Sequence, residues 1–305
     1  MLFYAIKRLG VALLVAITVS MITFSLIYLS GDPAIALAGE TATQEDIENI
    51  RRVYGYDRPI IVQYLDWLSR ALQGDLGRSH YLKTDTSDVI FTRLPTTMML
   101  GACAISFAIV LAIPLGVVAA MRPNTLIDRF ALALAVVGQA MPSFWFALTL
   151  MFWFGIVWRL LPITGTDSWL NFIMPSVALG YYVTPAMMRL TRAGMLEVLG
   201  SDYIRTAKAK GLRPPVVLFK HALRNAIIPV VSLAAVQFGF MLGGSIVIET
   251  IFAINGLGFL AYESIQRADL PMMQAIVLVL AVIFIIITFL ADMLNAFLDP
   301  RIRVT

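Results

Sequence analysis

Six stretches of this chain carry no Asp, Glu, Lys or Arg: residues 9–31, 94–121, 130–158, 168–188, 225–248 and 270–291. Each has at least the roughly 20 helical residues needed to cross a hydrocarbon core of about 30 Å. A backbone in lipid must satisfy its N–H and C=O groups within the segment, and a helix does this locally. The expected fold class is therefore all-α membrane protein, with six transmembrane helices. The balance of 59% hydrophobic to 14% charged residues, with mean hydropathy +0.83, lies outside the soluble globular range.

Lys and Arg placement gives the orientation. With a cytoplasmic N-terminus, the inner segments hold Lys7, Arg8, Arg122, Arg129, the eight basic residues between 189 and 224, and Arg301 and Arg303. The short outer loops hold only Arg159 and Arg267, and the seven bases of 32–93 weigh little because long translocated segments escape the rule. Both termini are expected in the cytoplasm. The net charge of +4 follows from this asymmetry and does not point to nucleic acid. A single cysteine, Cys103, in an apolar window excludes a disulfide framework. The first window is too long for a signal-peptide core, and no small-x-small cleavage site precedes Gly31, so a retained anchor is expected.

Residues 197–229 form a polar, basic insert between hydrophobic windows. A mere connection could be far shorter. Ser201 or Asp202 can cap a first helix, Gly211 can end it in the left-handed conformation, and Pro214 and Pro215 suit the start of a second. That second helix runs until Pro229 interrupts it. Thr206, Ala207 and Ala209 keep the first helix slim enough for close approach of a partner, with Tyr203 and Ile204 as apolar anchors and Lys/Arg as a rim. The alternative is a positive-inside loop resting on lipid headgroups.

Between the first two windows, Thr43 can cap a helix carrying Glu45 and Asp46 in its first turn. Pro59 can open an amphipathic helix stopped by Gly74, with Tyr64, Leu65, Leu68 and Leu72 as its apolar face. This segment reads as a packed cap over the outer mouth or, alternatively, as a ligand contact; His80 beyond it reads as a solvated loop histidine. Pro114, Pro142, Pro175 and Pro185 can bend membrane helices around a cavity. Gln139 and Ser143 beside Pro142 are pathway candidates. Gly138, Gly180, Gly243 and Gly244 suit close helix packing, and Trp145, Trp153, Trp158 and Trp169 suit core packing or the interface belt. Glu249 and Asn255, in GGSIVIETIFAINGLGF, are candidates for an outer gate. A structural rim in which Arg267 and Asp269 pair with Glu249 and Glu263 is equally open.

Several chemistries lack their residues. No GxxxxGK[ST] phosphate loop occurs. Gly243-Gly244-Ser245 has no histidine within a window to act as base, since His80 and His221 lie outside them. The same shortage argues against a metal site, and no window contains the carboxylate that an ion-coupled carrier would use as a relay. An energy source is expected elsewhere.

YIRTAKAKG at 203–211 and HALRNAIIPV at 221–230 resemble the cytoplasmic loop of ABC importer permeases, specifically the dipeptide/oligopeptide (binding-protein-dependent) class. The general Glu-Ala-Ala pattern reads Arg205-Thr206-Ala207 here, with Gly211 four residues after Ala207, and Leu-Pro falls on Leu223-Arg224. The outer GDP…YGYDRP…QYLDWL…GDLG, the Asn255-Gly256-Leu257-Gly258 run in place of Pro-Gly-Leu-Gly, and DPRIR at 299–303 are also similar to that class. The resemblance implies a type I permease fold in the bacterial inner membrane. It divides the chain into an N-terminal helix (1–31), an extracytoplasmic segment (32–93) and a permease core (94–305) with a coupling loop at 189–224. It implies a coupling helix whose Tyr203, Arg205, Thr206, Ala207, Lys208 and Gly211 dock on an ATPase. Implied partners are a second homologous permease, two ABC ATPase subunits that bind ATP and Mg, and an extracytoplasmic substrate-binding protein. No catalytic residue, metal or cofactor is expected in this chain. The implied cargo is a dipeptide or oligopeptide, with nickel, glutathione or an oligosaccharide as alternatives, and a non-transporting scaffold or receptor as the remote one.

Overall fold

The computed structural model describes residues 2–29, 32–39 and 42–298; the DPRIR match and Gly31 lie outside them. The described residues are almost wholly helical, with one isolated β-bridge between Arg78 and Asp85. Helix α1 spans Leu2–Leu29. The segment expected outside the membrane follows as α2 (Pro33–Ala38), α3 (Gln44–Val53) and α4 (Ile60–Leu72). The core comprises α5 (Thr86–Met121), α6 (Leu126–Ala140), α7 (Ser143–Leu150), α8 (Ile173–Tyr181) and α9 (Thr184–Leu199). After α10 (Asp202–Ala209), π-helical turns at Val216–Leu223 lead through α11 (Arg224–Ala226) into α12 (Ile228–Gly244). The chain closes with α13 (Ile246–Ile251), α14 (Leu257–Gln266) and α15 (Leu270–Leu298).

Not every charge-free window becomes one straight helix. Among the described residues, α1, α5 and α15 are each long and apolar enough to cross a membrane in one piece. The fifth window falls in a pair, Val216–Ala226 and Ile228–Gly244, bent by 51° at a break at Ile227, with Pro229 in the first turn of the second helix. The third breaks at Met141, whose φ −84° and ψ 131° are extended. The residue before a proline is pushed out of the helical region, and Pro142 has no N–H to donate. The fourth divides between α8 and α9 at Val183, with Pro185 in the first turn of α9. Pro114, expected to bend its helix, sits inside an α5 that is assigned as helix throughout.

Helix α5 is the central post, packed by α8, α9 and α12, while α1 lies along α15. Small residues set these distances. A Cβ on Gly180 would lie 2.3 Å from the Ala104 carbonyl oxygen, and one on Gly116 would lie 2.8 Å from that of Met188. Backbone cannot yield cheaply, so Gly180→Ala is expected to cost ~1–3 kcal/mol by overpacking, read as a lower thermal midpoint of the purified protein. Gly243 and Gly244 have open space around them, so no helix of this chain packs closely on them among the described residues. The side-chain surroundings of Gly138 lie outside the description. Trp145, Trp153, Trp158 and Trp169 are 46–70% exposed, which excludes core packing within this chain.

The outer segment folds much as its capping signals predict. Thr43 and Asp46 form a reciprocal capping box, and Arg51 reaches back to Asp32, which caps α2. That guanidinium holds the Asp32 carboxyl below the usual carboxylate range. In α4 the inward face is Tyr64 with Trp67, which stack around Phe24 of α1, and Tyr64 Oη meets Ser20 Oγ at 2.7 Å. Leu65 and Leu72, expected on that face, are exposed instead.

Candidate coupling surface and outer gate

Backbone bonds close helix α10. At its C-terminus Gly211, at φ +72°, allows Gly211 N–H to bond the Lys208 carbonyl at 3.0 Å and Leu212 N–H the Ala207 carbonyl at 3.4 Å. These are the paired bonds of a Schellman close, which needs the left-handed residue that glycine supplies. At the N-terminus Ser201 occupies the cap position, but its hydroxyl donates to the Val198 carbonyl at 2.6 Å rather than capping the helix.

The two faces of α10 differ sharply. Ile204 and Ala207, three residues apart and hence on one face, are buried against Val117 and Ala120 of α5, Met195 of α9, and Val217, Ala222 and Ala226. The expectation that Ala207 and Ile204 meet a partner is thereby corrected. They are 7% and 0% exposed, packed against apolar surface of this same chain. Tyr203, Arg205, Thr206, Lys208 and Gly211 do face outward. Tyr203 is 43% exposed, and its hydroxyl accepts from Asn225 Nδ2 at 2.8 Å, so the ring is tied to the following helix. Arg205 pairs with Asp202 at 3.2 Å, but both are largely solvated and the pair contributes little. The result is a cationic face on a small helix whose back is bolted to the ends of α5 and α9.

A second cross-link nearby was not visible in the sequence. Arg192 of α9 grips the buried Asp128 of α6 with Nε–Oδ1 and Nη2–Oδ2 contacts of 2.6 Å each. One turn away, Arg189 donates to Gln139 Oε1 at 3.2 Å. Gln139 and Ser143 are both exposed, on either side of the Met141-Pro142 break.

At the other informative site Glu249 is 0% exposed and pairs with neither Arg267 nor any other cation among the described residues. The rim reading is therefore corrected. Arg267 lies over the Tyr81 ring, Asp269 takes the Ser79 hydroxyl and the His80 and Tyr81 N–H groups, and Glu263 pairs with Arg93. Glu249 Oε1 instead accepts from the hydroxyls of Thr97 and Ser245 at 2.8 Å each, and Oε2 accepts from Phe259 N–H at 2.9 Å. Thr97 Oγ1 in turn accepts Leu257 N–H at 2.7 Å. Glu249 and its threonine thus satisfy first-turn N–H groups of α14. A Cβ on Gly256 would lie 2.4 Å from Glu249 Oε2, and one on Gly258 2.8 Å from the Ile246 Cα, so the glycines let the turn close on the carboxylate. Asn255 stands exposed at the tip. His80, expected to be solvated, is half-buried, and burial pushes its imidazole below the ordinary value. Asp269 could have been found as a helix start signal ahead of Leu270-Pro271; Thr97 carried no local signal.

Comparison with known proteins gives concordant matches. The family described as the binding-protein-dependent transport system inner membrane component matches residues 112–304, and the N-terminal part of such components matches residues 1–101. The glutathione transport system permease protein GsiC of Pectobacterium atrosepticum is 42% identical over 304 residues, covering 99% of both chains. That of Escherichia coli K12 is 40% identical over the same length, again with 99% of each chain covered. Among solved structures, the methionine ABC transporter MetNI in inward-facing conformations aligns with a TM-score of 0.56 at 18% identity, covering 69% of this chain and 96% of that one.

Proposed function

Since this chain belongs to the family of binding-protein-dependent transport system inner membrane components, and is an ABC importer permease, we propose that its cargo is a short peptide. Glutathione, the cargo in the names of its 40–42% identical relatives, is the first to test. The reading extends to its surroundings. A second homologous permease completes the pathway, two ATPase subunits bind ATP and Mg, and a binding protein delivers cargo from outside. Both termini then lie in the cytoplasm, and the chain itself carries no catalytic residue.

The observation that carries this reading is the two-faced α10. Its outer face offers Tyr203, Arg205, Thr206 and Lys208 to a partner, and its inner face is continuous with the core of α5 and α9. A motor that grips the outer face moves the helices behind it. ATP can shift the bundle only through contacts that differ between its two states, and rocking of near-rigid bodies is the simplest such change. Gln139, Ser143, Glu249 and Asn255 are then pathway or gate residues of the moving parts.

Uptake of labelled glutathione, and separately of dialanine, into vesicles holding the full complex with and without ATP tests the function. ATP-independent or absent uptake of both would overturn it. For the docking face, Arg205→Glu together with Lys208→Glu is expected to reduce ATPase co-purification about fivefold or more, the low end of site coupling. Undiminished recovery would remove α10 from the interface.

A further inference from the structure

The outer segment encloses more than a cap needs. Helix α1, the end of α3, helix α4, the 75–83 turn and the first turn of α15 bound a cavity of about 1090 Å³. Clefts that hold small ligands run to roughly 300–1,000 Å³, so this one has room for a peptide of a few residues. Its walls are unlike those of a packing defect. Tyr28, Tyr54, Tyr56 and Trp67 supply aromatic surface, and the lining cations outnumber the lining carboxylates.

The cations are not all committed. Arg58 pairs with Asp66 at 3.3 Å, and Arg78 is spent on the Lys83 carbonyl at 2.9 and 2.6 Å. Arg70 and Lys83 have no ion pair among the described residues, and neither does Asp75. On the α15 side stands Gln274, 4% exposed, whose amide nitrogen has no hydrogen-bond partner. A buried donor left unpaired costs about 1–3 kcal/mol, and a ligand oxygen would relieve it.

We propose that this cavity is a binding site for a short peptide with free carboxylates, received on the outer face before it enters the membrane pathway. Arg70 and Lys83 take the carboxylates, Arg70 with the forked geometry that suits them. Asp75 faces the ammonium group, the Gln274 amide donates to a peptide oxygen, and the aromatic wall covers the remainder. The assignment rests on the peptide-cargo reading and adds a site to it.

The test uses the full permease–ATPase complex in lipid nanodiscs without binding protein. Equilibrium dialysis measures labelled glutathione and labelled trialanine, each beside its carboxyl-amidated form. The wild type is expected to bind the acids and not the amides. Arg70→Gln, at an exposed position, is expected to weaken binding about tenfold or more, as for loss of a hydrogen bond to a charged group. Gln274→Leu should weaken it less. Binding equal in wild type and Arg70→Gln, or binding of neither acid, overturns the site even if vesicle uptake is intact. Arg70-dependent binding without uptake upholds the site and overturns the cargo reading instead. If peptide binding is unchanged by Arg70→Gln and, in a parallel sample with binding protein added, only capture of that protein is impaired, the cavity seats that protein and the proposal fails.

Discussion

Replacing Ile204 with alanine is expected to cut ATP-driven uptake about tenfold or more, while the ATPase subunits still co-purify and still hydrolyse ATP. Ile204 is fully buried on the inner face of α10, against α5, α9 and the helix that follows. Truncating such a side chain removes ~2–5 kcal/mol from the contact that it makes. The outward residues Tyr203, Arg205, Thr206 and Lys208 are untouched, so the partner should still find its surface. Coupling between two sites amounts to ~1–3 kcal/mol, or about 5–150-fold. The loss at Ile204 is of the same size, so the helix can move with the motor without dragging α5 and α9. Uptake, hydrolysis and subunit recovery measured on one reconstituted sample separate the outcomes. Hydrolysis that proceeds without uptake is the expected result. Unchanged uptake would show that force does not pass through this anchor, and joint loss of uptake and ATPase subunits would place Ile204 in docking or folding.

The elbow was legible in the sequence because its punctuation is local. Pro214 and Pro229 restrict the backbone whatever surrounds them, Gly211 frees it for the left-handed close, and the helix ends fall close to those residues. Which face of α10 looks inward was not legible. Ala207 is small enough for a partner's backbone or for the packed end of α5, and burial alone decided between them. The glycines divide similarly. Gly180 meets a carbonyl from a helix some 76 positions earlier, while Gly243 and Gly244 meet open space, and nothing in their neighbours distinguishes the cases. A charge-free run reports compatibility with lipid and says nothing of continuity, and a proline alone does not decide it either, since Pro142 follows a break while Pro114 sits inside unbroken α5. Asp128 carries no local signal of its own, since its partner Arg192 lies 64 residues away.

Glu249 is where that distance matters most, and Glu249→Gln is expected to loosen the outer turn. The carboxylate offers an oxygen to each side, Oε1 to the hydroxyls of Thr97 and Ser245 and Oε2 to Phe259 N–H. Glutamine offers only one. With its oxygen toward the hydroxyls, its NH₂ faces the Phe259 N–H, donor against donor. Flipped, its NH₂ replaces the oxygen that accepted the Thr97 hydroxyl proton, which is left without that acceptor while Leu257 N–H holds the hydroxyl in place. Neither arrangement is relieved by movement, since Gly256 leaves no slack between the turn and the carboxylate. One unsatisfied buried group costs about 1–3 kcal/mol, here concentrated at the junction of α13 and α14. The variant should melt at a lower temperature and respond less to cargo-loaded binding protein in ATP hydrolysis. A variant that matches the wild type in both measurements would mean that the carboxylate does not organise this turn, and Thr97 and the glycines would have to hold it alone.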